Sequence, residues 1–414
     1  MFIQESSRKD DYTIRCLYIM TESMKILFLA TESILKIGGA GYVERVFVKA
    51  LKELGYHVVV VLPTLHVPSL LTYLGLKLYL QANLQVKAIE EVLDRERIDV
   101  IISMGILNKA LAKFKNKIKI IVYYNMLTPW EYEIRGYYRK YSWRNLSMLY
   151  FAWRTCLNRS LTCDFNPFTI ADYVAVNSEY MRLLAIRYWN KDVYVLSPPV
   201  FIEKYQKFVK NLSERGDYII CFGRISPEKR YEVAIKALSF SALKPRLKLL
   251  IAGALDYNDH SKIMYLRSLL NLAKRYGVKL EVKLNVDERT KIELLSRALA
   301  YIHTAIGEHF GITVVEAMAT GTPVIVHSSG EPYFGITQQG LYGLIFKDSR
   351  DLAKKIDTLI SDQMLWNRYH IKGLNRSMHY DYSKFVKNLE ELLQQKLWQT
   401  QNGVNDVKHP QHVP

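Results

Sequence analysis

The chain of 414 residues is 49% hydrophobic, so it can bury a large core, and its length exceeds that of a typical single domain. Its 57 lysines and arginines outnumber 40 acidic residues, and the net charge of +17 favours nucleic acid, an acidic membrane surface or a phosphorylated substrate as partner. Four irregularly spaced cysteines exclude a disulfide scaffold and a zinc site and fit a reducing cytosol. No apolar run is long and uncharged enough for a transmembrane helix, so any membrane contact is expected at the surface.

The first predicted domain covers residues 24–199 and follows a polar N-terminal extension, residues 1–23, that lacks the apolar core of a signal peptide. Residues 25–30 and 58–62 predict buried strands, and residues 43–54 predict a helix between them. Gly38 and Gly39 open the glycine-rich turn before this helix. Its spacing fits neither the dinucleotide fingerprint nor a P-loop, and a plain helix-entry loop remains an alternative.

A basic aromatic segment, residues 109–163, interleaves lysine and arginine with tyrosine and tryptophan and overlaps a strand predicted at 118–124. This mixture is typical of a surface that lies on an anionic bilayer. It also suits single-stranded nucleic acid, and an amphipathic hairpin packed on the first sheet is the third interpretation.

A strand at residues 193–197 runs into Pro198 and Pro199, which predicts a stiff linker and a second domain at residues 200–381. The second domain opens with a strand at 218–222, followed by Gly223 and Arg224 and by a helix that begins near Lys229. Two cations at the carboxyl end of a strand can converge on one phosphate, although isolated loop cations are often only solvated.

The rest of the second domain alternates strands and helices. The predicted strands are 248–253, 280–286 and 344–346, and the predicted helices are 263–276, 289–298 and 350–360. A last helix, residues 382–398, precedes a polar tail at 399–414.

The centre of the chain is a predicted strand–helix–strand unit with strands at 301–305 and 324–326 and a helix at 313–319. The amides of Gly311, Ile312 and Thr313 open the helix and predict an anion site, most simply for a phosphate. Glu308 and Glu316 are expected to face the same crevice and to accept hydrogen bonds from hydroxyls. Alternatively, Glu308 only complements the helix dipole and Glu316 is a solvated helix residue.

The stretch from Glu308 to Ala319 resembles the E-x7-E signature of the family 4 retaining glycosyltransferases. Gly223, Arg224 and Lys229 resemble the diphosphate clamp of that family. His303-Thr304 and residues 327–330 are similar to one branch, the mannosyltransferases that extend lipid-linked oligosaccharide on the cytosolic membrane face.

This resemblance implies the α/β GT-B fold, with two Rossmann-like domains whose parallel sheets face a central cleft. It implies catalytic roles for Glu308, Arg224 and Lys229. The donor-binding residues that it implies are Glu316, Gly223, Phe310, Gly311, Ile312, Thr313, Gly38 and Gly39. On the acceptor side, Asn125 stands where relatives have a histidine, and an asparagine cannot act as a base.

The expected partners are a nucleotide-sugar donor, with GDP-mannose favoured, a lipid-linked or other glycan acceptor, and an anionic membrane surface. No metal and no further cofactor are expected, and the predicted location is cytoplasmic, peripheral on the cytosolic membrane face. Three alternatives remain: a UDP-sugar enzyme with another acceptor, an inactive GT-B partner protein, and a basic nucleic-acid-binding protein. Carboxylates in the binding crevice argue against nucleic acid, because they would repel its phosphates.

Overall fold

The computed structural model describes residues 24–31, 34, 39–62, 77–104, 109–125 and 167–398. The predicted extension at 1–23, the tail at 399–414, Gly38 and residues 126–163 of the basic aromatic segment lie outside these residues. Within the described ranges, none of the helices combines the length and apolar character that crossing a bilayer requires.

The described residues form two compact units. The first contains residues 24–123, 167–174 and 396–398, and the second contains residues 124–125 and 175–395. This division counts residues 175–199 with the second unit, whereas the sequence interpretation ended the first domain at Pro199. The predicted domain boundary stays a prediction.

The first sheet has six strands in the order β2-β1-β3-β4-β5-β6. These strands are β1 Lys25–Leu29, β2 His57–Val61, β3 Val100–Met104, β4 Lys119–Tyr124, β5 Tyr173–Val176 and β6 Tyr194–Val195. The early helices are α1 Gly39–Glu53, α2 Lys77–Arg95 and α3 Glu179–Trp189, and the sequence interpretation contained neither α2 nor α3.

Helix α1 begins at Gly39, four residues before the predicted start at Val43. Residues 39–41 therefore form the first helical turn rather than a loop. The first turn tolerates glycine because its amides have no intrahelical acceptor to lose, and Gly41 is buried, where a side chain would need space.

The second sheet also has six strands, in the order β12-β11-β10-β7-β8-β9. Its strands are β7 Tyr218–Phe222, β8 Lys248–Gly253, β9 Leu280–Leu284, β10 Ala300–His303, β11 Val324–His327 and β12 Leu344–Phe346. Its helices are α4 Ile202–Gln206, α5 Tyr231–Phe240, α6 His260–Tyr276, α7 Glu288–Arg297, α8 Ile312–Ala319, α9 Ser349–Ser361, α10 Gln363–Ser377 and α11 Tyr382–Trp398. The registered strand pairs are parallel, and the order is that of a doubly wound nucleotide-binding sheet.

Successive residues of the second sheet enter two different cores. Ile219 and Cys221 of β7 face the cluster under α5 and α9, whereas Ile220 between them joins the cluster under α8. Burial on both faces explains why these strands read as continuous apolar runs instead of alternating ones.

Side-chain caps fix the starts of several helices. Asp259, Asp287, Asp348 and Asp362 accept hydrogen bonds from first-turn amides of α6, α7, α9 and α10. The predicted strands and helices of this half agree with the structure to within a few residues, except that α4 and α10 were not predicted.

Candidate active site

The strand order of the second sheet reverses between β7 and β10, which are neighbours. The chain leaves β7 toward α5 and leaves β10 toward α8, so a crevice opens outside the carboxyl ends of these two strands. The loop after β7 carries Gly223, Arg224 and Lys229, and the loop after β10 carries Glu308 and Gly311. The structure thus brings both predicted loops to the edge where such sheets bind ligands.

Glu308 and Lys229 form a direct ion pair across the crevice. The Nζ of Lys229 lies 2.5 Å from Oε2 of Glu308, and the two side chains are 19% and 21% exposed. Burial alone would raise the pKa of Glu308, but the charge of Lys229 and the proximity of His303 outweigh burial and hold this pKa well below its usual range. Glu308 is therefore a carboxylate that can accept hydrogen bonds.

His303 is the last residue of β10 and lies next to this pair. Its Nε2 lies 3.5 Å from Oε2 of Glu308, and its Nδ1 lies 3.2 Å from the hydroxyl of Tyr301. Burial lowers the pKa of His303 and outweighs the opposing effect of the Glu308 carboxylate, so the imidazole is neutral.

Arg224 occupies a different environment from Lys229. Its side chain is 62% exposed, and its Nη2 lies 3.4 Å from Oε1 of Glu228. The 3-10 turn Pro227–Lys229 and the left-handed conformation of Arg230 (φ 53°) precede α5, which explains why this helix begins at Tyr231 and not near Lys229. The convergence of both cations on one phosphate stays a prediction.

The amino end of α8 faces the same crevice. The helix begins at Ile312, one residue before the predicted start, and its N-cap Gly311 has φ 95°, a conformation that favours glycine. The amides of Ile312 and Thr313 precede the bond from Val314 N to Gly311 O (2.9 Å), so both are available to an anion. The Phe310 side chain is buried against Tyr380, which leaves only its main chain for a ligand, and its donor-binding role stays a prediction.

Glu316 is buried in the first turns of α8 with its side chain 9% exposed. Its Oε1 accepts hydrogen bonds from the Tyr205 hydroxyl and from Nζ of Lys291, each at 2.6 Å. The alternative that Glu316 is a solvated helix residue is therefore wrong. Both bonds use the same carboxylate oxygen, which leaves Oε2 for another donor.

Residues 203–376 match the family "Glycosyl transferases group 1". They form a group 1 glycosyltransferase domain. The candidate residues from Gly223 to Glu316 lie inside it, whereas Gly39 and Asn125 lie outside.

Two relatives are named GDP-Man:Man(3)GlcNAc(2)-PP-Dol alpha-1,2-mannosyltransferase. The protein from Xenopus tropicalis is 30% identical over 179 residues, which cover 40% of this chain and 36% of the relative. The human protein is 28% identical over 207 residues, covering 46% and 42%. An alpha-1,3/1,6-mannosyltransferase from Saccharomyces cerevisiae is 27% identical over 198 residues, covering 39% of each chain. The matches thus span less than half the length of these relatives, and they confirm the predicted resemblance to mannosyltransferases.

Two solved structures share the fold over 90% of this chain. Sucrose-phosphate synthase from Thermosynechococcus elongatus superposes with a TM-score of 0.69 at 16% identity and is covered over 98% of its length. Anabaena Alr3699/HepE superposes with a TM-score of 0.63 at 19% identity and is covered completely, at 100%. These likenesses and the two parallel six-stranded sheets confirm the predicted α/β GT-B fold.

A second loop of the glycosyltransferase domain holds the Glu308 main chain. The amide of Glu331 donates to the carbonyl of Glu308 (2.8 Å), and the amide of Gly307 donates to Oγ of Ser329 (3.0 Å). Gly330 packs so closely that a Cβ there would lie 2.5 Å from the Glu308 main chain. The loop after β11 thus fixes the direction in which Glu308 projects.

The amino end of helix α3 forms hydrogen bonds with the loop after β10 and with the loop after β11. The N-cap Ser178 donates its hydroxyl to the His309 carbonyl (2.6 Å), and Oε2 of Glu331 accepts from the Tyr180 amide (2.9 Å). Glu331 is buried, and burial raises the pKa of its carboxyl to about 8. Ser178 and Glu331 were not predicted as part of the site, because both act through contacts with residues that are distant in sequence.

The remaining predicted residues lie outside the domain. Gly39 is exposed at the start of α1. The Asn125 carbonyl accepts a hydrogen bond from Nδ2 of Asn177 (2.7 Å), and the buried Oδ1 of Asn125 has no hydrogen-bond partner among the described residues. The donor-binding role of Gly39 and the acceptor-side role of Asn125 stay predictions.

Proposed function

We propose that this chain transfers mannose from GDP-mannose to a glycan acceptor carried by a membrane lipid. The observation that carries the proposal is the partly buried Lys229–Glu308 pair beside the amino end of α8, at the switch point of a group 1 glycosyltransferase domain. GDP-mannose is favoured as the donor because two of the relatives reported above have GDP-Man in their names as mannosyltransferases.

A nucleotide-sugar donor is part diphosphate and part polyol, and the crevice offers partners for both parts. Lys229, Arg224 and the first-turn amides of α8 supply positive charge for the diphosphate. The carboxylates of Glu308 and Glu316 accept hydrogen bonds from sugar hydroxyls and from the ribose, respectively.

The proposed reaction retains the configuration at the anomeric carbon. The bond from this carbon to the diphosphate oxygen breaks, while a bond to the acceptor oxygen forms on the same face of the sugar. The acceptor hydroxyl gives its proton to the departing phosphate oxygen. The leaving diphosphate gains negative charge in the transition state, and Lys229 and the α8 amides stabilise that charge in place of a metal ion.

The acceptor is proposed to be a polyprenyl-diphosphate-linked oligosaccharide or another membrane glycolipid, because the names of the Xenopus tropicalis and human relatives specify a PP-Dol-linked glycan. The described part of the basic aromatic segment gives this idea little support. Lys113 lies 3.6 Å from Glu90, Lys119 lies 3.6 Å from Asp172, and Lys115 donates to the Thr169 carbonyl. These lysines are engaged within the first unit, so membrane binding would depend on residues 126–163.

The test is thermal stabilisation of the purified protein by GDP, UDP, ADP and their sugars, because a ligand that binds only the folded state raises the melting temperature. We expect stabilisation by GDP and GDP-mannose that is lost in Glu316→Gln, followed by transfer of labelled mannose to a lipid-linked acceptor. Stabilisation by UDP alone would indicate that the donor is a UDP-sugar and not GDP-mannose. Stabilisation by oligonucleotides without any nucleotide response would overturn the enzyme proposal, and donor binding without transfer would indicate an inactive partner protein.

A further inference from the structure

Two nitrogen donors converge on one oxygen of the crevice. Oε2 of Glu308 receives Nζ of Lys229 at 2.5 Å, and Nε2 of His303 stands 3.5 Å from the same oxygen. Hydrogen bonds between nitrogen and oxygen are usually about 2.9–3.0 Å long. Lys229 therefore forms the hydrogen bond with Oε2 of Glu308, and Nε2 of His303 lies just beyond hydrogen-bonding distance of this oxygen.

The proton of neutral His303 is placed by its neighbours. The Tyr301 hydroxyl lies 3.2 Å from Nδ1 of His303 and 3.4 Å from the Phe222 carbonyl, so it can donate to either of them. When it donates to Nδ1, Nε2 of His303 carries the hydrogen and points it at Glu308. In the opposite tautomer, the lone pair of Nε2 would face a carboxylate oxygen, which is unfavourable. The Nε2–H form is therefore the stable one.

The Nε2 of His303 is a buried polar atom without a hydrogen-bond partner in the described part of the chain, and the residue is only 6% exposed. Leaving such a group unsatisfied typically costs about 1–3 kcal/mol. Because this unsatisfied N–H group of His303 is costly and lies beside the Glu308 carboxylate, we expect it to form a hydrogen bond in another state of the protein.

The main chain of Lys229 is anchored while its side chain is long enough to turn. The hydroxyl of Thr304, next to His303, donates to the Lys229 carbonyl at 2.5 Å. The ammonium group sits on a flexible four-carbon stem. Lys229 can therefore exchange its partner without a movement of the loop.

We propose that His303 is a positioning residue that takes over Oε2 of Glu308 when Lys229 turns to the donor diphosphate. This inference rests on the proposed function, which assigns Lys229 to the diphosphate and Glu308 to the sugar. Without a replacement partner, Glu308 would become a partly buried carboxylate that has lost its counter-charge, which is unfavourable. Shortening the His303–Glu308 contact from 3.5 Å to about 2.9 Å keeps the carboxylate in place for the sugar hydroxyls.

The test compares the affinities for GDP and for GDP-mannose in His303→Leu and His303→Gln, measured by calorimetry. In the leucine variant, we expect about tenfold weaker binding of both ligands, which corresponds to about 1.4 kcal/mol, because both carry the diphosphate that draws Lys229 away from Glu308. Glutamine carries an N–H close to the position of Nε2, so His303→Gln should recover most of the GDP-mannose affinity.

Unchanged binding of either ligand in His303→Leu would overturn the inference. Failure of glutamine to recover the affinity would indicate a merely structural role and overturn it as well. If the wild-type protein binds no GDP-mannose, the proposed donor fails and the inference fails with it. If the leucine variant does not fold, nitrogen NMR of the histidines in the wild type decides, with His303→Gln giving the assignment. A proton on Nδ1 of His303, or an Nε2–H signal that GDP-mannose does not shift, would overturn the inference.

Discussion

The carboxyl group of Glu331 fills the space that a side chain at position 335 would need. A Cβ atom on Gly335 would lie 1.7 Å from Oε1 of Glu331, inside the helical turn Pro332–Ile336. The Oε2 of the same carboxyl accepts the Tyr180 amide of α3. Because residue 335 is a glycine, the carboxyl group of Glu331 has the space to contact α3.

Gly335→Ala is expected to destabilise the protein by about 1–3 kcal/mol, because overpacking a filled core costs this much. Glu331→Ala in the same chain removes the clashing atoms, so the double variant should be more stable than Gly335→Ala alone. Urea unfolding of the wild type and the three variants measures this coupling. If the effects of the two substitutions simply add, the packing explanation is wrong.

Glu331 also predicts a dependence of stability on pH. Burial raises the pKa of its carboxyl in the folded protein to about 8 from an ordinary value of 4.5. The folded state therefore holds a proton that the unfolded chain releases, and this contribution to stability is complete below about pH 4.5 and disappears as the pH rises through 8.

Glu331→Gln should remove this dependence, because the amide stays neutral and its oxygen can still accept the Tyr180 amide. We expect the free energy of unfolding of the wild type to fall relative to the variant between pH 5 and pH 8, by an amount on the order of 1 kcal/mol per pH unit. Parallel curves for the two proteins across this range would contradict the assignment.

The sequence predicted the central strand–helix–strand unit and the loops that carry Lys229 and Glu308, because these depend on local patterns of apolar residues and glycines. It did not predict the partners of Glu316, since Lys291 and Tyr205 are 25 and 111 residues away in the chain. Which carboxylates are buried depends on how α4, α7 and α8 pack together. Helix starts were misplaced where backbone geometry decided them, as at Arg230, whose left-handed conformation delays α5.

The two cations after β7 should contribute unequally to turnover. Lys229→Met removes a partly buried positive charge that contacts Glu308, and we expect kcat for mannosyl transfer to fall about 10²–10³-fold. Arg224→Met should cost less, about tenfold, because this side chain is mostly exposed and paired with Glu228. Lys274→Met, at an exposed position in the last turn of α6, is the matched control and should leave kcat unchanged. Wild-type turnover in Lys229→Met would exclude its catalytic role.

Transfer is expected to need no divalent metal, because lysine, arginine and helix amides supply the positive charge for the leaving diphosphate. Treatment with EDTA should leave the initial rate of mannosyl transfer unchanged. A loss of rate that Mg²⁺ or Mn²⁺ restores would contradict this prediction.

Lys291 should govern both donor affinity and stability through Glu316. Lys291→Met breaks a pair with a 2.6 Å contact and leaves a nearly buried carboxylate with only the Tyr205 hydroxyl. We expect a loss of about 1–3 kcal/mol of stability, because breaking a buried pair by removing one partner costs far more than losing a surface pair. We also expect weaker GDP binding, because Glu316 is the residue proposed to bind the ribose. Lys283→Met is the matched control, since Lys283 pairs with Glu281 at an exposed 3.5 Å contact and should lose less than 1 kcal/mol.

A double-mutant cycle with Glu316→Gln separates the pair from other effects of the Lys291 substitution, because residues in contact couple by about 0.5–3 kcal/mol. In the Glu316→Gln background, the loss of Lys291 should cost much less stability, since no buried charge remains to be neutralised. An undiminished cost there would mean that Lys291 acts by packing against Tyr205, over whose ring its ammonium lies at 5.6 Å, and not by neutralising the carboxylate.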